Sequence, residues 1–259
     1  MLNSNQLQGM VAIITGAGGA IGAATARLMA VRGAKIVAVD RDSDALEALA
    51  GSLPASAEMV RISADVTSED AVESYVRTTR DRFGHIDVFF NNAGIEGAIA
   101  PLASYRLDDF QKVMSVNVVG VFLGLKHVLP VMVTQKSGSI INTSSLAGLT
   151  GGPGMIAYYT SKHAVIGLTR TAALECAATG VRVNCVNPGI IESRMVHDIE
   201  EGYAPGQSDK VHAQILASIP AGRYGQPEEV ATLVAFLASD DARYISGSIH
   251  LVDGAKNAT

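Results

Sequence analysis

Cysteine is scarce in this sequence. Its 259 residues include only two, Cys176 and Cys185, which lie in a predicted helix and a predicted strand among apolar neighbours. Disulfides are rare in reducing compartments, where buried thiols persist. We therefore expect two reduced, buried thiols in a cytoplasmic protein rather than a disulfide. No Cys, His or carboxylate pair has a metal-ligand spacing that stands out, so we expect no metal site.

Basic clusters and long apolar runs are also lacking. The formal net charge is −5 and no group of Lys and Arg stands out, so a nucleic-acid partner is not expected. We find no apolar run of the roughly 18–20 residues that a bilayer requires, and no secretory signal pattern. We therefore expect no membrane partner. Hydrophobic residues make up 48% and charged residues 17% of the chain, so a large core is possible.

Short apolar runs alternate with segments of helical periodicity along the chain. The predicted strands are 10–15, 35–40, 59–63, 86–90, a run ending at 144, 181–186 and 248–252. The predicted helices are one ending near 32, then 43–50, 68–83, 107–134 with breaks near Asn117 and Gly120, one running on from Tyr158, and 227–238. This alternation predicts a single α/β domain over 1–259, a Rossmann-like doubly wound parallel sheet of about seven strands with helices on both faces.

Residues 190–219 interrupt this regular pattern. They are rich in charge, and Gly202, Pro205 and Gly206 disfavour one continuous helix. An insertion at the carboxyl end of a strand lies over the ligand crevice of an open sheet. We predict a mobile substrate lid here; the alternative is a plain surface excursion.

A glycine-rich segment, Gly16–Gly22, follows the first predicted strand and opens a helix. Glycines permit close approach of the backbone to a phosphate, which the amino terminus of a helix favours. The alternative is a turn that only packs a helix on the sheet. We expect a phosphate site because the segment directly follows strand one.

The predicted cofactor is NAD(H) rather than NADP(H). Asp40 ends the second predicted strand, 18 residues after Gly22, where a carboxylate can accept hydrogen bonds from the adenosine ribose. Its charge would oppose a 2′-phosphate by about 4 kcal/mol for a unit-charge pair near 4 Å. Arg41 could soften this discrimination or face solvent.

Tyr158 and Lys162 lie four residues apart in a predicted helix, and therefore on one face. Ser145 ends a predicted strand before that helix. A phenol, an ammonium and a hydroxyl together suit proton transfer at an oxygen. A tyrosine that works near pH 7 needs its pKa lowered by roughly 3 units, which a cation at about 4 Å can supply. We expect Lys162 to lower the pKa of Tyr158; chance spacing in a helix is the alternative.

The chain resembles the short-chain dehydrogenase/reductase family along nearly its whole length. Thr15–Gly22 is similar to the family signature Thr-Gly-x-x-x-Gly-x-Gly, although Ala20 replaces its second glycine. Asn91–Gly94 resembles the segment that steadies the central sheet of the family. Further matches are the acidic-apolar pair Asp65-Val66 and the Pro-Gly-x-x-x-Thr element at Pro188-Gly189, with Ser193 in place of Thr.

This resemblance implies an enzyme that interconverts a secondary alcohol and a ketone. It implies that Tyr158 exchanges a proton with the substrate oxygen, which Ser145 holds by a hydrogen bond. It further implies that Lys162 also binds the nicotinamide ribose and that Asn117 holds a water in a proton relay. The implied assembly is a homotetramer. The implied cofactor-binding residues are Gly16, Gly18, Ala20, Ile21, Gly22, Asp40, Arg41, Asp65, Val66, Asn92, Ala93, Gly94, Tyr158, Lys162, Pro188, Gly189, Ile191 and Ser193.

The expected substrate is an uncharged ketone or secondary alcohol, cyclic or aromatic. The expected wall of its pocket is mostly apolar and comprises Glu96, Leu146, Gly152, Met155, Ile156, Met195 and Tyr203. Glu96 could contact a substrate hydroxyl or cap a turn, and we expect Tyr159 to pack into the interior. One alternative is a 3-oxoacyl-thioester reductase, which Asp40 disfavours. Another is a nucleotide-sensing binding protein without turnover, which the Ser-Tyr-Lys set disfavours.

Overall fold

The computed structural model describes residues 6–258, arranged around one parallel β-sheet. The strands are β1 (Val11–Thr15), β2 (Lys35–Asp40), β3 (Met59–Ser63), β4 (Val88–Asn91), β5 (Gly138–Thr143), β6 (Val181–Pro188) and β7 (Ile249–Val252). The helices are α1 (Ala20–Val31), α2 (Ser43–Ser52), α3 (Glu69–Phe83), α4 (Leu107–Met114), α5 (Gly120–Gln135), α6 (Ile156–Cys176), α7 (Arg194–Tyr203), α8 (Ser208–Ala217) and α9 (Pro227–Ala238).

The strand order of the sheet is β3-β2-β1-β4-β5-β6-β7, and all neighbours pair in parallel. The order reverses between β1 and β4, which opens a crevice at the carboxyl ends of the strands. Strand β1 is buried at every position, as expected for a parallel strand with helices on both faces. The predicted α/β fold is confirmed.

Two apolar cores lie on the two faces of the sheet. One contains Met29 of α1 and Val234 of α9, together with side chains of α2. The other contains Tyr75 of α3 and Val128 of α5, together with side chains of α6. Burial of one such large apolar side chain stabilises the fold by about 1.5–3 kcal/mol, so these two layers fix the sheet whose edge carries the cavity.

The ends of the helices follow from local capping residues. The carboxylate of Asp42 accepts hydrogen bonds from the backbone of Asp44 and Ala45, at 3.1 and 3.0 Å, and so starts α2. Ser68 caps α3 in the same way through the backbone of Ala71, and Gly84 ends that helix at φ 81°. Only glycine adopts such a φ without strain.

The boundaries of β4 differ from the expected ones. The strand begins at Val88 rather than Ile86, because the backbone of Ile86 pairs in both directions with the side-chain amide of Gln135, at 3.0 and 2.8 Å. The expected breaks near Asn117 and Gly120 correspond to a change of helix type rather than to an end of the helix. A five-residue π-helix, Ser115–Val119, joins α4 to α5 without interruption.

That continuous helix, Leu107–Gln135, is 29 residues long and its most apolar 18-residue window has a mean hydropathy of 1.8, so by length and composition it passes the test for a membrane span. The expectation of no such run was therefore wrong. A helix in the core of a globular domain passes the same test. Val121, Leu125 and Met132 lie in the core beside the sheet, and 44% of the most apolar window is buried.

Residues 190–219 form the two short helices α7 and α8 after β6. Val196 of α7 packs with Ile219 and Tyr224 in a small third core. The two cysteines, Cys176 and Cys185, are free and buried on either side of the α6–β6 connection, as expected.

Candidate active site

A cavity of about 1690 Å³ opens at the carboxyl ends of strands β1 to β6. Every residue expected to bind the cofactor lines it, together with Ser145. Helices α7 and α8 supply its outer wall through side chains that include Met195, Ile199 and Ile215. The segment expected to be a lid therefore forms part of the cavity wall.

Close backbone packing shapes the glycine loop at the inner end of this cavity. A methyl group on Gly22 would lie 2.1 Å from the carbonyl oxygen of Gly16, so the loop can pass the start of α1 only with glycine there. Gly16 has φ +65°, a turn conformation that L side chains rarely adopt. Ala20, the expected departure from the family pattern, forms the first residue of α1 and lines the cavity.

Asp40 lies directly beside the glycine loop. Its Oδ2 accepts a hydrogen bond from the backbone N of Gly18 at 2.9 Å, and its Oδ1 accepts one from the N of Asp42 at 3.1 Å. Each carboxylate oxygen keeps a further lone pair for a ribose hydroxyl. The loop and this carboxylate therefore fit an adenine dinucleotide with a free 2′-hydroxyl.

Asp65 and Val66 form the wall beyond Asp40. Backbone and side-chain hydrogen bonds from Thr67, both 2.8 Å, lower the pKa of the Asp65 carboxyl, and the charge of Arg41 contributes a smaller lowering. Val66 packs so closely on Gly120 that a methyl group on that glycine would lie 2.9 Å from its Cγ2. Arg41 thus lies near Asp65 at the exposed rim.

A hydrogen-bond chain across the sheet edge holds the Asn92–Gly94 segment. The hydroxyl of Thr15 accepts from the backbone N of Asn92 and of Ala93, at 2.9 and 3.1 Å. The hydroxyl of Thr143 donates to Oδ1 of Asn92 at 3.2 Å. Three neighbouring strands are thereby linked where the cavity crosses the point of reversal.

Tyr158 and Ser145 form the polar centre of the cavity, with Lys162 one helical turn further on. The Ser145 hydroxyl lies close enough to the Tyr158 hydroxyl to lower the pKa of the phenol, and it accepts a hydrogen bond from the backbone N of Ala147 at 3.2 Å. Nζ of Lys162 lies 5.5 Å from the centroid of the Tyr158 ring and donates to the carbonyl of Thr143 at 3.0 Å. The three side chains expected to cluster are brought together.

The pKa of Tyr158 differs from the expectation. Burial raises it to about 12; the Ser145 hydrogen bond lowers it in part, while Glu96 and Tyr159 raise it further. Burial also lowers the pKa of Lys162 to about 8. Lys162 donates its hydrogen bond to the carbonyl of Thr143 rather than to the phenol. In the protein chain alone, the desolvation of Tyr158 therefore has a larger effect on its pKa than the charge of Lys162. Tyr158 is consequently a neutral phenol at pH 7.

Asn117 lies behind the cavity rather than in its wall. It is fully buried in the π-helix, and its Oδ1 accepts from the backbone N of Ile95 at 2.8 Å. Its Nδ2 donates to the carbonyl of Ile95 at 2.8 Å and to the hydroxyl of Ser161 at 3.0 Å. Ser161 in turn donates to the carbonyl of Tyr158 at 2.8 Å. Both amide hydrogens of Asn117 are therefore used within the protein, and neither is left for a water.

Pro188, Gly189, Ile191 and Ser193 carry the cavity wall from β6 to the lid. The hydroxyl of Ser145 donates to the carbonyl of Pro188 at 3.4 Å, which links the two strands beside Tyr158. Ser193 caps α7 by accepting from the backbone N of Val196 at 3.3 Å. The element expected on the nicotinamide side therefore also starts the first lid helix.

The outer part of the cavity contains most of the expected substrate residues: Glu96, Leu146, Gly152, Met155, Met195 and Tyr203. Ile156, the first residue of α6, does not line it, contrary to the expectation. Tyr203 donates to the carbonyl of Pro153 at 2.8 Å and closes α7 against the segment before α6.

Tyr159 also lines the cavity, contrary to the expectation that it packs into the interior. Its hydroxyl occupies the space that a methyl group on Gly152 would need, at 2.1 Å. The glycines before α6 were the available signal, because they leave room for a large neighbour. Tyr159 thus adds a phenol to the substrate end.

Glu200 is a buried carboxylate of α7 that the sequence pattern did not single out. It accepts hydrogen bonds from Nδ1 of His197 at 3.1 Å, from Nδ1 of His212 at 2.9 Å and from the hydroxyl of Tyr224 at 2.6 Å. Among residues 6–258, no group of three or more His, Cys, Asp or Glu side chains is placed to hold a metal ion.

Comparison with known proteins assigns the family. Residues 16–255 match the family model described as Enoyl-(Acyl carrier protein) reductase. Levodione reductase of Leifsonia aquatica is 42% identical over 96% of this chain and 94% of its own, and a levodione reductase crystal structure superposes with a TM-score of 0.96 over 97% and 99% of the two chains.

Two further relatives are similar over nearly full length. The 3-oxoacyl-[acyl-carrier-protein] reductase of Thermotoga maritima is 40% identical over 96% of this chain and 98% of its own. The structure of an NAD⁺-bound xylitol dehydrogenase gives a TM-score of 0.91 at 40% identity, over 96% and 99% of the chains.

The chain belongs to the short-chain dehydrogenase/reductase family. It is an oxidoreductase that uses NAD(H) and interconverts a secondary alcohol and a ketone. The glycine loop and the Asp40 carboxylate described above are consistent with that cofactor.

Proposed function

We propose that the substrate is an uncharged cyclic or aromatic ketone, or the corresponding secondary alcohol. The observation that carries this proposal is the apolar outer wall of the cavity, formed by Leu146, Met155, Ile190 and Met195 around the Tyr158 hydroxyl. Apolar walls with few polar groups suit small uncharged ligands. The name of the relative levodione reductase supports the same class.

Tyr158 is the proposed acid and base at the substrate oxygen. In reduction its neutral phenol donates a proton to that oxygen, and in oxidation its phenolate accepts one. NAD(H), when bound, supplies or accepts the hydride. Ser145 donates a hydrogen bond to the same oxygen and stabilises charge that develops there.

Lys162 and Asn117 are proposed to act around Tyr158. The Nζ of Lys162 lies at the inner end of the cavity, 3.4 Å from where a methyl group on Gly94 would be, and there it would bind the nicotinamide ribose. Asn117 is a positioning residue, because its bonds reach Ser161 and Ile95 rather than the cavity. It fixes the start of α6 and hence the direction of Tyr158.

This proposal is tested by measuring the oxidation of NADH and NADPH by the purified protein with cyclic, aromatic and 3-oxoacyl-thioester ketones. We expect turnover of cyclic ketones with NADH. A preference for acyl thioesters would favour the alternative that the Thermotoga maritima relative suggests. Tight NADH binding with no turnover on any ketone would indicate a binding protein instead. Either result contradicts the proposal.

Substitution of the two neighbouring tyrosines assigns the proton donor. Tyr158→Phe should lower kcat by a factor of about 10²–10⁴ with NADH binding and Tm retained. Tyr159→Phe is the matched control, because it removes a phenol from the same cavity and should keep most of the turnover. Equal losses in the two variants would contradict the assignment.

A homotetramer is proposed from the apolar side chains left on the surface. Leu107 and Phe122 are exposed on the α4–α5 helix, and Leu174 of α6 is 81% exposed. Tyr244 is fully exposed before β7 and Leu251 is exposed on that edge strand. Two separate apolar faces suit a closed assembly with two kinds of interface. Light scattering that gives a monomer would overturn this proposal.

A cytoplasmic location is proposed from the two free, buried thiols. Cell fractionation tests it, and recovery of the protein in a membrane or secreted fraction would contradict it.

A further inference from the structure

Glu96 presents a carboxylate without a partner to the cavity. The side chain is partly buried in the segment after β4, and across residues 6–258 its carboxylate makes no hydrogen bond or ion pair. The alternative of a turn cap is therefore not observed. Leaving a carboxylate unpaired beside apolar walls costs free energy that a ligand donor can recover.

The surroundings hold Glu96 in place. The backbone of the preceding residue, Ile95, is clamped by Asn117, with bonds of 2.8 Å in both directions. A fixed main chain limits how far the carboxylate can move to seek solvent. The same carboxylate is close enough to Tyr158 for its charge to raise the pKa of the phenol. Glu96 and the reacting oxygen therefore belong to one end of the cavity.

We propose that Glu96 accepts a hydrogen bond from a second hydroxyl of the substrate, so that the enzyme acts on diols and hydroxyketones rather than on simple alcohols. This inference rests on the proposed function and narrows its substrate class. The apolar residues around Tyr158 contact the carbon skeleton of the substrate, and Glu96 accepts a hydrogen bond from its second hydroxyl. Substrates with a carboxylate or phosphate at that position are repelled by like charge.

Cyclohexanediols and their monomethyl ethers test this proposal directly. The ether keeps the carbon skeleton and the oxygen but loses the donor hydrogen. Oxidation with NAD⁺ is measured for 1,2-, 1,3- and 1,4-isomers, with cyclohexanol as the simple alcohol. For the isomer that fits, wild-type kcat/KM should be about tenfold or more higher for the diol than for its ether, as expected for one hydrogen bond to a charged group.

Two variants assign the preference to Glu96. Glu96→Leu removes the acceptor and should bring the diol-to-ether ratio close to one. Glu96→Gln keeps a neutral acceptor and should give an intermediate ratio, and its near-identical shape covers the case in which the leucine variant does not fold. Asp108→Asn on α4 is the control for loss of one carboxylate, because its exposed side chain lies outside the cavity. It should leave the wild-type ratio unchanged.

The outcomes separate this inference from the function on which it rests. Turnover of cyclohexanol with no preference for any diol over its ether would overturn the role of Glu96 alone. A wild-type ratio retained in a folded Glu96→Leu protein would do the same. A stronger preference for an aminocyclohexanol than for the diol would show that Glu96 binds a cationic group of the substrate and not a hydroxyl. Absence of turnover on every cyclic substrate would overturn the proposed function itself.

Discussion

The carboxylate of Glu200 lies 2.6 Å from the hydroxyl of Tyr224, which ties lid helix α7 to the segment that leads into α9. The same carboxylate accepts from His197 and His212. The lid is therefore held by a polar anchor on a carboxylate only 3% exposed, beneath a small apolar core. Removal of that anchor should loosen the lid without touching the reacting groups.

We expect the His197 contribution to stability to depend on pH. Hydrogen bonds to Glu200 and Glu192 raise the pKa of His197 above its usual 6.5, and Tyr224, His197 and His212 lower the pKa of Glu200 below 4.5 against the effect of burial. Because its pKa is raised on folding, His197 contributes its full stabilisation of the folded state below about pH 6.5. That contribution is lost as the pH rises through the folded-state pKa. Because its pKa is lowered on folding, Glu200 stabilises the folded state above about pH 4.5. That contribution is lost as the pH falls through the folded-state pKa.

Melting temperatures of wild type and His197→Asn should therefore differ most between about pH 4.5 and 6.5. The difference should shrink above that window as the histidine loses its proton. His163→Asn is the control, since that histidine lies on α6 and bonds only to the carbonyl of Tyr159. A difference that grows between pH 6.5 and 8.5 would contradict this account of the lid.

The pH dependence of turnover should reflect the raised pKa of Tyr158, about 12. Reduction needs the phenol, which is present throughout pH 6–9. Oxidation needs the phenolate, so its kcat/KM should rise by up to about tenfold per pH unit over that range. Ser145→Ala removes the hydrogen bond that lowers this pKa, and should shift the rise to higher pH. An oxidation rate already level at pH 7 would contradict the prediction.

Cofactor choice should depend on Asp40. Asp40→Ser removes the charge beside Gly18, and we expect kcat/KM with NADPH to rise about ten- to hundredfold while that with NADH falls. Asp44→Ser is the matched control: it removes an exposed carboxylate of α2 that does not line the cavity. An unchanged ratio of NADPH to NADH in Asp40→Ser would show that another group sets the preference.

The glycine loop should tolerate no methyl group at Gly22. In Gly22→Ala the new carbon would lie 2.1 Å from the carbonyl oxygen of Gly16, so the loop or α1 must move. We expect a loss of about 1–3 kcal/mol in the free energy of unfolding and weaker NADH binding by titration. Gly51→Ala in α2 meets nothing within 4 Å and should instead stabilise by about 0.5–1 kcal/mol. Equal effects of the two substitutions would exclude the clash as the cause.

Sequence spacing predicted those features that depend on neighbours along the chain. The alternation of strands and helices, the Tyr158–Lys162 turn and the glycine loop are all local patterns, and the structure shows the fold they predict. The lid anchor was missed because His212 and Tyr224 lie 12 and 24 residues from Glu200, with no periodic pattern to connect them. Their proximity follows only from the packing of α7 against α8 and against the segment before α9.

The errors at Ile156 and Tyr159 have a different physical cause. Sequence placed a helix there but could not fix which residue begins it, and one residue rotates a side chain by about 100° around a helix. The pKa of Tyr158 is raised rather than lowered because the side chain is buried, and the spacing of residues in the sequence does not reveal burial. The charge of Lys162 was anticipated, whereas its desolvation was not.

The cavity is lined by residues at the carboxyl ends of six parallel strands, and the first and last of these along the chain, β1 and β6, lie more than 160 residues apart. Parallel neighbours need long crossovers, so these ends meet only after most of the chain has been synthesised. A nascent chain therefore gains its dinucleotide pocket late and as a unit, after β6 pairs with β5. NADH binding can accordingly serve as a signal that the strands through β6 have assembled, since a shorter fragment lacks one wall.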